Sequence, residues 1–176
     1  MEKQINSETI FEGHIFTVKK DQVECDNGML AYREMVFHHG GVGILAIEDG
    51  CILLVKQYRY TLRQDMIEIP AGKLEENEDP QLAAFREFEE ETKRRAQTMN
   101  LICPIVATPG YCSEVIRLYE ALDFKEVKDA LESDPDENLN IIKMPLTKAY
   151  EMIFTGEITD SKTIIAIQYA YQKYCQ

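Results

Sequence analysis

Gly72-Lys73-Leu74-Glu75-Glu76-Asn77-Glu78-Asp79-Pro80-Gln81-Leu82-Ala83-Ala84-Phe85-Arg86-Glu87-Phe88-Glu89-Glu90-Glu91 is the stretch on which the reading of this chain turns. Asp79-Pro80 marks a helix start, since Asp accepts the free amides of a first turn and Pro is preorganised for the first helical position. Leu82, Ala83, Ala84, Phe85 and Phe88 supply an apolar face. Glu87 and Glu91 are four apart and Glu90 follows Glu87 by three, so the three carboxylates share one side of the helix. On a bare helix such like charges repel by roughly 0.2–0.5 kcal/mol per pair. A divalent cation removes that penalty, and oxygen-only ligands favour Mg²⁺, with Mn²⁺ as the alternative, over zinc.

A glutamate run on a helix is by default a solvated face, and this chain is rich in acidic residues. The spacing argues for more. Gly72, Glu78, Arg86, Glu87, Glu90 and Glu91 stand at fixed intervals that chance would produce in roughly one sequence in ten thousand of this composition. These residues resemble the signature of the Nudix hydrolases, which cleave nucleoside diphosphates linked to another moiety. The match fails at its end, where the family has a glycine and an aliphatic residue and this chain has Lys93 and Arg94. The glycine ends the helix in a left-handed conformation that costs a residue with a Cβ about 1–2 kcal/mol. Either Lys93 accepts that conformation or the helix runs on through Arg94-Arg95.

Outside the signature the resemblance narrows to ADP-ribose pyrophosphatases and spans residues 8–172. Val55-Lys-Gln-Tyr58-Arg59-Tyr60 is similar to their strand before the loop, and Glu68-Ile-Pro70-Ala71-Gly72-Lys-Leu-Glu75 to their entry into the signature. Pro109 matches a proline of that subgroup, and Thr108-Pro-Gly110-Tyr-Cys112-Ser113-Glu114 resembles its catalytic loop. The resemblance implies an α/β/α sandwich with a mixed sheet over 41–176, plus a small N-terminal antiparallel sheet over 1–40. It implies a metal site of Glu87, Glu90, Glu91 and the Ala71 carbonyl. Glu114 is implied as the base that takes a proton from the attacking water, with Glu90 and Arg86 also in the catalytic group. Arg86 would orient the carboxylates by ion pairing and Glu78 would shape the loop, while Glu68 and Glu75 stay open. Substrate contacts fall to Arg59, by stacking on adenine or pairing with phosphate, to Gly110 in the loop, and to Arg33, Glu34 and Ile15. The N-terminal strands would pair two subunits into a homodimer. The expected reaction turns ADP-ribose into AMP and ribose 5-phosphate. Another nucleoside diphosphate sugar such as GDP-mannose is an open alternative, and so is an inactive nucleotide-binding protein, for which Lys93 is the support.

Composition sets the remaining bounds. The chain has 176 residues, enough for one core with a small added sheet, and its 45% hydrophobic content excludes disorder. A net charge of −12 argues against a nucleic-acid or anionic-membrane partner. Five cysteines without a Cys-x-x-Cys pattern point to reduced thiols and a cytoplasmic protein. Cys112 is not a nucleophile by this reading, and His14, His38 and His39 are structural. No apolar run reaches signal-peptide or membrane-spanning length.

Along the chain, Phe11, Ile15 and Val18 read as strand residues before a hairpin at Asp26-Asn27-Gly28, returning over 31–37. Strands are expected over 42–47, 51–55, 101–107, 115–122 and 140–144, with a polar loop at 133–137. Helices are expected over 145–155, closed by Gly156, and from the Asp160 cap to about 174.

Overall fold

The computed structural model describes residues 1–132 and 139–175, so the expected polar loop at 133–137 lies outside the described residues. The chain divides into two compact units. One comprises residues 1–40 and 106–115, the other 41–105 and 116–176.

The first unit is built on a three-stranded antiparallel sheet, β1 (Lys3–Glu12), β2 (Phe16–Glu24) and β3 (Leu30–His38), in the order β1-β2-β3. The β2–β3 hairpin turns where sequence places it. Gly28 takes a left-handed φ of 79°, and the Cys25 amide donates to the Met29 carbonyl at 2.8 Å. Ile15 is not a strand residue. It sits in the turn between β1 and β2 and is exposed, because the chain must reverse between two strands that pair along their length. Segment 106–115 joins this unit through β3. The Val36 amide donates to the Tyr111 carbonyl at 2.7 Å, and the Ser113 amide to the Val36 carbonyl at 2.9 Å.

The second unit carries the mixed sheet. Its strands are β4 (Gly41–Glu48), β5 (Cys51–Arg59), β6 (Gln64–Glu68), β7 (Ala71–Lys73), β9 (Thr98–Ile105), β10 (Ile116–Leu122) and β12 (Asn140–Pro145). Their order is β12-β5-β4-β10-β9, with β6 on β5 and β7 on β4. Among the described residues of this sheet β4 and β10 run parallel, and the other pairs are antiparallel. A two-stranded ribbon pairs β8 (Arg94–Arg95) with β11 (Lys125–Glu126). The β4–β5 turn uses Asp49 and Gly50, both at positive φ, which suits the twist of a tight hairpin.

Alternation along the strands sorts side chains into two cores. Val42, Ile44 and Ala46 of β4 and Leu53 of β5 pack with Ala83, Ala84 and Phe88 of helix α1 (Pro80–Thr92). Leu45, Ile52 and Leu54 point to the opposite face. They pack with Leu146, Ala149 and Met152 of α2 (Leu146–Thr155) and Ala166, Ile167 and Ala170 of α3 (Ser161–Tyr174). β4 and most of β5 are therefore continuous apolar runs, as strands covered on both faces must be. The expected α/β/α sandwich with its mixed sheet, and the small N-terminal sheet, are both present. No helix among the described residues is long and apolar enough to cross a membrane.

The helix caps follow local chemistry. Asp79 accepts from the Gln81 and Leu82 amides at 2.9 and 3.1 Å, and Gly156 closes α2 at a φ of 79°. Of the two ends open for α1, the chain takes the first. Lys93 adopts the left-handed conformation (φ 55°, ψ 29°), and its amide donates to the Glu89 carbonyl at 2.9 Å. Lys93→Gly should therefore stabilise the fold by up to about 1 kcal/mol, offset in part by the greater freedom of glycine in the unfolded chain. A thermal midpoint raised by about 2–4 °C is the expected result. A lowered midpoint would mean that the Lys93 side chain, which donates to the Leu131 carbonyl at 2.8 Å, outweighs the backbone strain.

Candidate active site

Strand β7 and helix α1 meet through two carboxylates. A Cβ built on Gly72 would stand 1.9 Å from the Cδ and Oε1 of Glu87, so the carboxylate lies directly on the glycine backbone. One residue earlier, the Ala71 amide donates to Glu91 Oε2 at 3.0 Å. Both glutamates are nearly buried, Glu87 at 8% and Glu91 at 4% exposure. Pairing of β7 with β4, with Gly43 opposite Ala71 and Val42 opposite Gly72, fixes the strand against which they close.

Arg86 gathers the rest of the acidic set. Its Nε and Nη2 donate to the two oxygens of Glu78 at 2.9 and 3.0 Å, and its Nη1 donates to Glu87 Oε1 at 2.8 Å and Glu90 Oε2 at 3.0 Å. The hydrogen bond to Glu78, followed by the charge of Glu87, raises the guanidinium pKa despite burial. The same bond lowers that of Glu78. Glu89, on the same helix, is removed from the group by Arg95, which donates to both its oxygens at 2.7 Å. Among the described residues no three acidic, His or Cys side chains stand together as a finished cage. The donors nonetheless fit a hard divalent ion. They are carboxylate and carbonyl oxygens, and the bare Gly72 backbone is what lets Glu87 reach β7.

Arg59, at the end of β5, is held by a partner within the chain. Its Nε and Nη2 donate to Glu68 Oε1 and Oε2, both at 2.7 Å. Glu68 ends β6, is 3% exposed, and is also bonded by Lys162 from the start of α3. Burial pushes the Glu68 carboxyl up, but the hydrogen bond from Arg59 and the charge of Lys162 outweigh it and hold the pKa down to about 2. Sequence reasoning does not single out Lys162, because a lysine in the first turn of a helix reads as surface. The available signal was Glu68 itself, an acidic residue leading into the apolar Ile69-Pro70.

A depressed carboxyl pKa has a defined sign. The stabilisation is complete above the ordinary value of 4.5 and disappears as pH falls toward about 2. Its full size is on the order of 3 kcal/mol. Urea unfolding across that window should show a steep acid loss in the native chain and a shallower one in Glu68→Gln. An unchanged acid slope in the variant would exclude Glu68 as its source.

In the first unit, Glu114 lies with its Oε1 3.5 Å from His38 Nδ1. The loop that carries it is tied to β3 by the His38 amide, which donates to Ser113 Oγ at 3.0 Å, besides the Val36 bonds described above. Gly110 faces open space. Arg33 turns to Glu2, donating from Nε to Oε2 at 3.1 Å and from Nη2 to Oε1. Glu34 lines a shallow cavity of about 300 Å³ with Ile10, Val18, Lys19 and Lys20. Successive strand residues face opposite ways, so Arg33 and Glu34 do not act on one side of the sheet.

Residues 37–165 match the NUDIX domain family model, about three-quarters of the chain and all of the signature. The chain belongs to the Nudix family. It is a Nudix pyrophosphohydrolase, and its relatives extend over nearly its whole length. A methanol dehydrogenase activator of Bacillus methanolicus is 41% identical over 169 residues, covering 96% of this chain and 91% of that protein. An ADP-ribose pyrophosphatase of Bacillus subtilis (strain 168) is 38% identical over 173 residues, covering 98% and 94%. A solved structure described as an ADP compounds hydrolase superposes with a TM-score of 0.84 over 98% of this chain and 96% of that one. At 21% identity it supports the Nudix fold and no more.

Proposed function

We propose that this Nudix protein hydrolyses the pyrophosphate bond of ADP-ribose to AMP and ribose 5-phosphate, with Mg²⁺ as its metal and Mn²⁺ able to replace it. The observation that carries the hydrolytic reading is the closure of Glu87 and Glu91 on Gly72 and Ala71. The substrate follows from the 38% identity to an ADP-ribose pyrophosphatase over nearly the full chain. Glu87, Glu90, Glu91 and the Ala71 carbonyl would hold the divalent ion. When bound, the ion supplies charge neutralisation at the two phosphates and a more acidic water.

The chain's own groups have separate tasks. Arg86 keeps the Glu87 and Glu90 carboxylates oriented between substrates. Arg59 offers Nη1, the guanidinium nitrogen that Glu68 does not use, to a substrate phosphate. Glu114 takes a proton from the water that attacks phosphorus, and the P–O–P bridge breaks to leave the two monophosphates. Glu114→Gln should slow turnover by roughly 10²–10⁴. A variant as fast as the native protein across pH would take Glu114 out of the mechanism.

The N-terminal sheet supports a homodimer. All ten residues of β1 are exposed, and Ile5, Ile10, Phe11, Leu30, Tyr32 and Phe37 leave large apolar side chains uncovered. Glu34, beside the cavity, and Ile15 would serve the nucleotide pocket of that dimer, whereas Arg33, on the other face of β3 and bonded to Glu2, would lie outside it. Sedimentation as a monomer at micromolar concentration would overturn the assignment. All five cysteines are unbridged, which fits the reducing cytoplasm as its location.

The deciding experiment is AMP release from ADP-ribose with Mg²⁺, beside GDP-mannose and other nucleoside diphosphate derivatives. Metal-dependent release from ADP-ribose alone is the expected result. Hydrolysis of a different panel member would keep the site and replace the substrate. A second reading is favoured by the relative described as an activator of another enzyme. In that reading the chain regulates a partner enzyme. A folded protein that hydrolyses nothing in the panel would shift the assignment there.

A further inference from the structure

The run Asp160-Ser161-Lys162-Thr163 opens α3 with its functional side chains turned inward. Thr163 is completely buried and Lys162 nearly so. Thr163 Oγ1 accepts from the Ile69 amide at 2.9 Å and donates to Asp160 Oδ2 at 2.6 Å. Lys162 Nζ stands 3.0 Å from the same Asp160 oxygen and also bonds Glu68 Oε2. The first turn of α3 thus grips the Glu68 carboxylate and the very next amide, two residues ahead of β7.

A helix cap does not explain the lysine. Asp160 already accepts from the Thr163 amide at 3.0 Å, and the positive end of a helix disfavours a cation. Burying an ammonium there needs a partner of opposite charge, and Glu68 is that partner. Glu68 and Arg59 alone would form a neutral pair. Adding Lys162, which Asp160 also meets, gives two cations and two carboxylates. The guanidinium, 39% exposed while Glu68 and Lys162 are buried, is the member of this group that reaches solvent.

We propose that Lys162 is a positioning residue: by holding Glu68 it fixes Arg59 with its Nη1 edge presented to the diphosphate of the nucleotide substrate. This rests on the hydrolase reading above for the substrate, but not for the anion. The test is therefore a double-mutant cycle of Lys162→Met and Arg59→Ala, read both by calorimetric binding of ADP without metal and by steady-state kinetics.

Lys162→Met should weaken ADP binding and raise KM by about tenfold each, with kcat within about threefold of the native value. In the Arg59→Ala background the same substitution should change neither, because the group it positions is gone. A merely structural lysine would change ADP affinity and KM equally in both backgrounds, which would overturn the proposal. So would native ADP affinity in folded Lys162→Met, or an unmutated chain that binds no ADP. If the methionine variant does not fold, Lys162→Gln, which keeps a hydrogen-bond donor, takes its place in the cycle. A native chain that binds ADP but hydrolyses no nucleotide sugar would sink the proposed reaction alone, and the binding cycle would still decide the role of Lys162.

Discussion

Glu91→Gln is expected to lower turnover by roughly three orders of magnitude, the equivalent of about 4 kcal/mol of transition-state stabilisation. The amide keeps the size of the side chain and one oxygen, so the bond from the Ala71 amide can survive. What goes is the negative charge that would face a divalent ion. The fold should persist, because the substitution leaves the apolar contacts of Ala83, Ala84 and Phe88 untouched. Circular dichroism beside single-turnover hydrolysis separates the two effects. Near-native turnover from Glu91→Gln would remove the residue from the metal set and, with it, the proposed division of labour on α1.

Gly72→Ala is expected to cost roughly a hundredfold in turnover while leaving stability almost unchanged. Gly72 does not take a left-handed φ, so alanine meets no backbone strain there. The added methyl lands on the Glu87 carboxylate, the end of a flexible side chain, and not on backbone. Glu87 must then move off β7, and Arg86, which donates to it at 2.8 Å, moves with it or loses the bond. A displacement of an ångström or so at a ligand is enough for a loss of this size. If the thermal midpoint collapses instead, Gly72 serves the β4–β7 pairing more than the site. Unaltered activity would mean that the Glu87 carboxylate has another productive position.

How much of this could be read beforehand depended on how local the chemistry was. The start of α1 at Asp79-Pro80, its apolar face and the hairpins at Asp49-Gly50 and Asn27-Gly28 follow from residues within a few positions of one another. So do the Gly156 stop and the Asp160 cap. The short strands β6 and β7 did not follow, because five and three residues carry too little periodicity to declare themselves. β9 ends at Ile105, short of the expected 107, where the chain passes into the loop tied to β3. The spacing of Glu87, Glu90 and Glu91 brought the carboxylates to one stretch of helix. It could not show that Glu87 rests on Gly72 or that Glu91 takes the Ala71 amide, since both depend on how α1 docks. The pairing of Glu68 with Lys162 spans 94 residues and has no sequence period at all. Arg59 was legible as an anion-binding candidate, whereas its engagement by Glu68 was not.

The unit that combines residues 1–40 with 106–115 has a consequence for synthesis on the ribosome. Strand β3 is finished when His38 has been added, but the segment that bonds to Val36 and His38 is not complete until Glu114 has been made. At about 5–20 residues per second the nascent chain waits roughly 4–15 seconds with that strand edge unfilled. During the interval the uncovered Phe11, Leu30 and Phe37 are also in solution. The N-terminal sheet therefore emerges well before the segment that completes it, and the order of translation leaves its edge open to premature pairing in that interval.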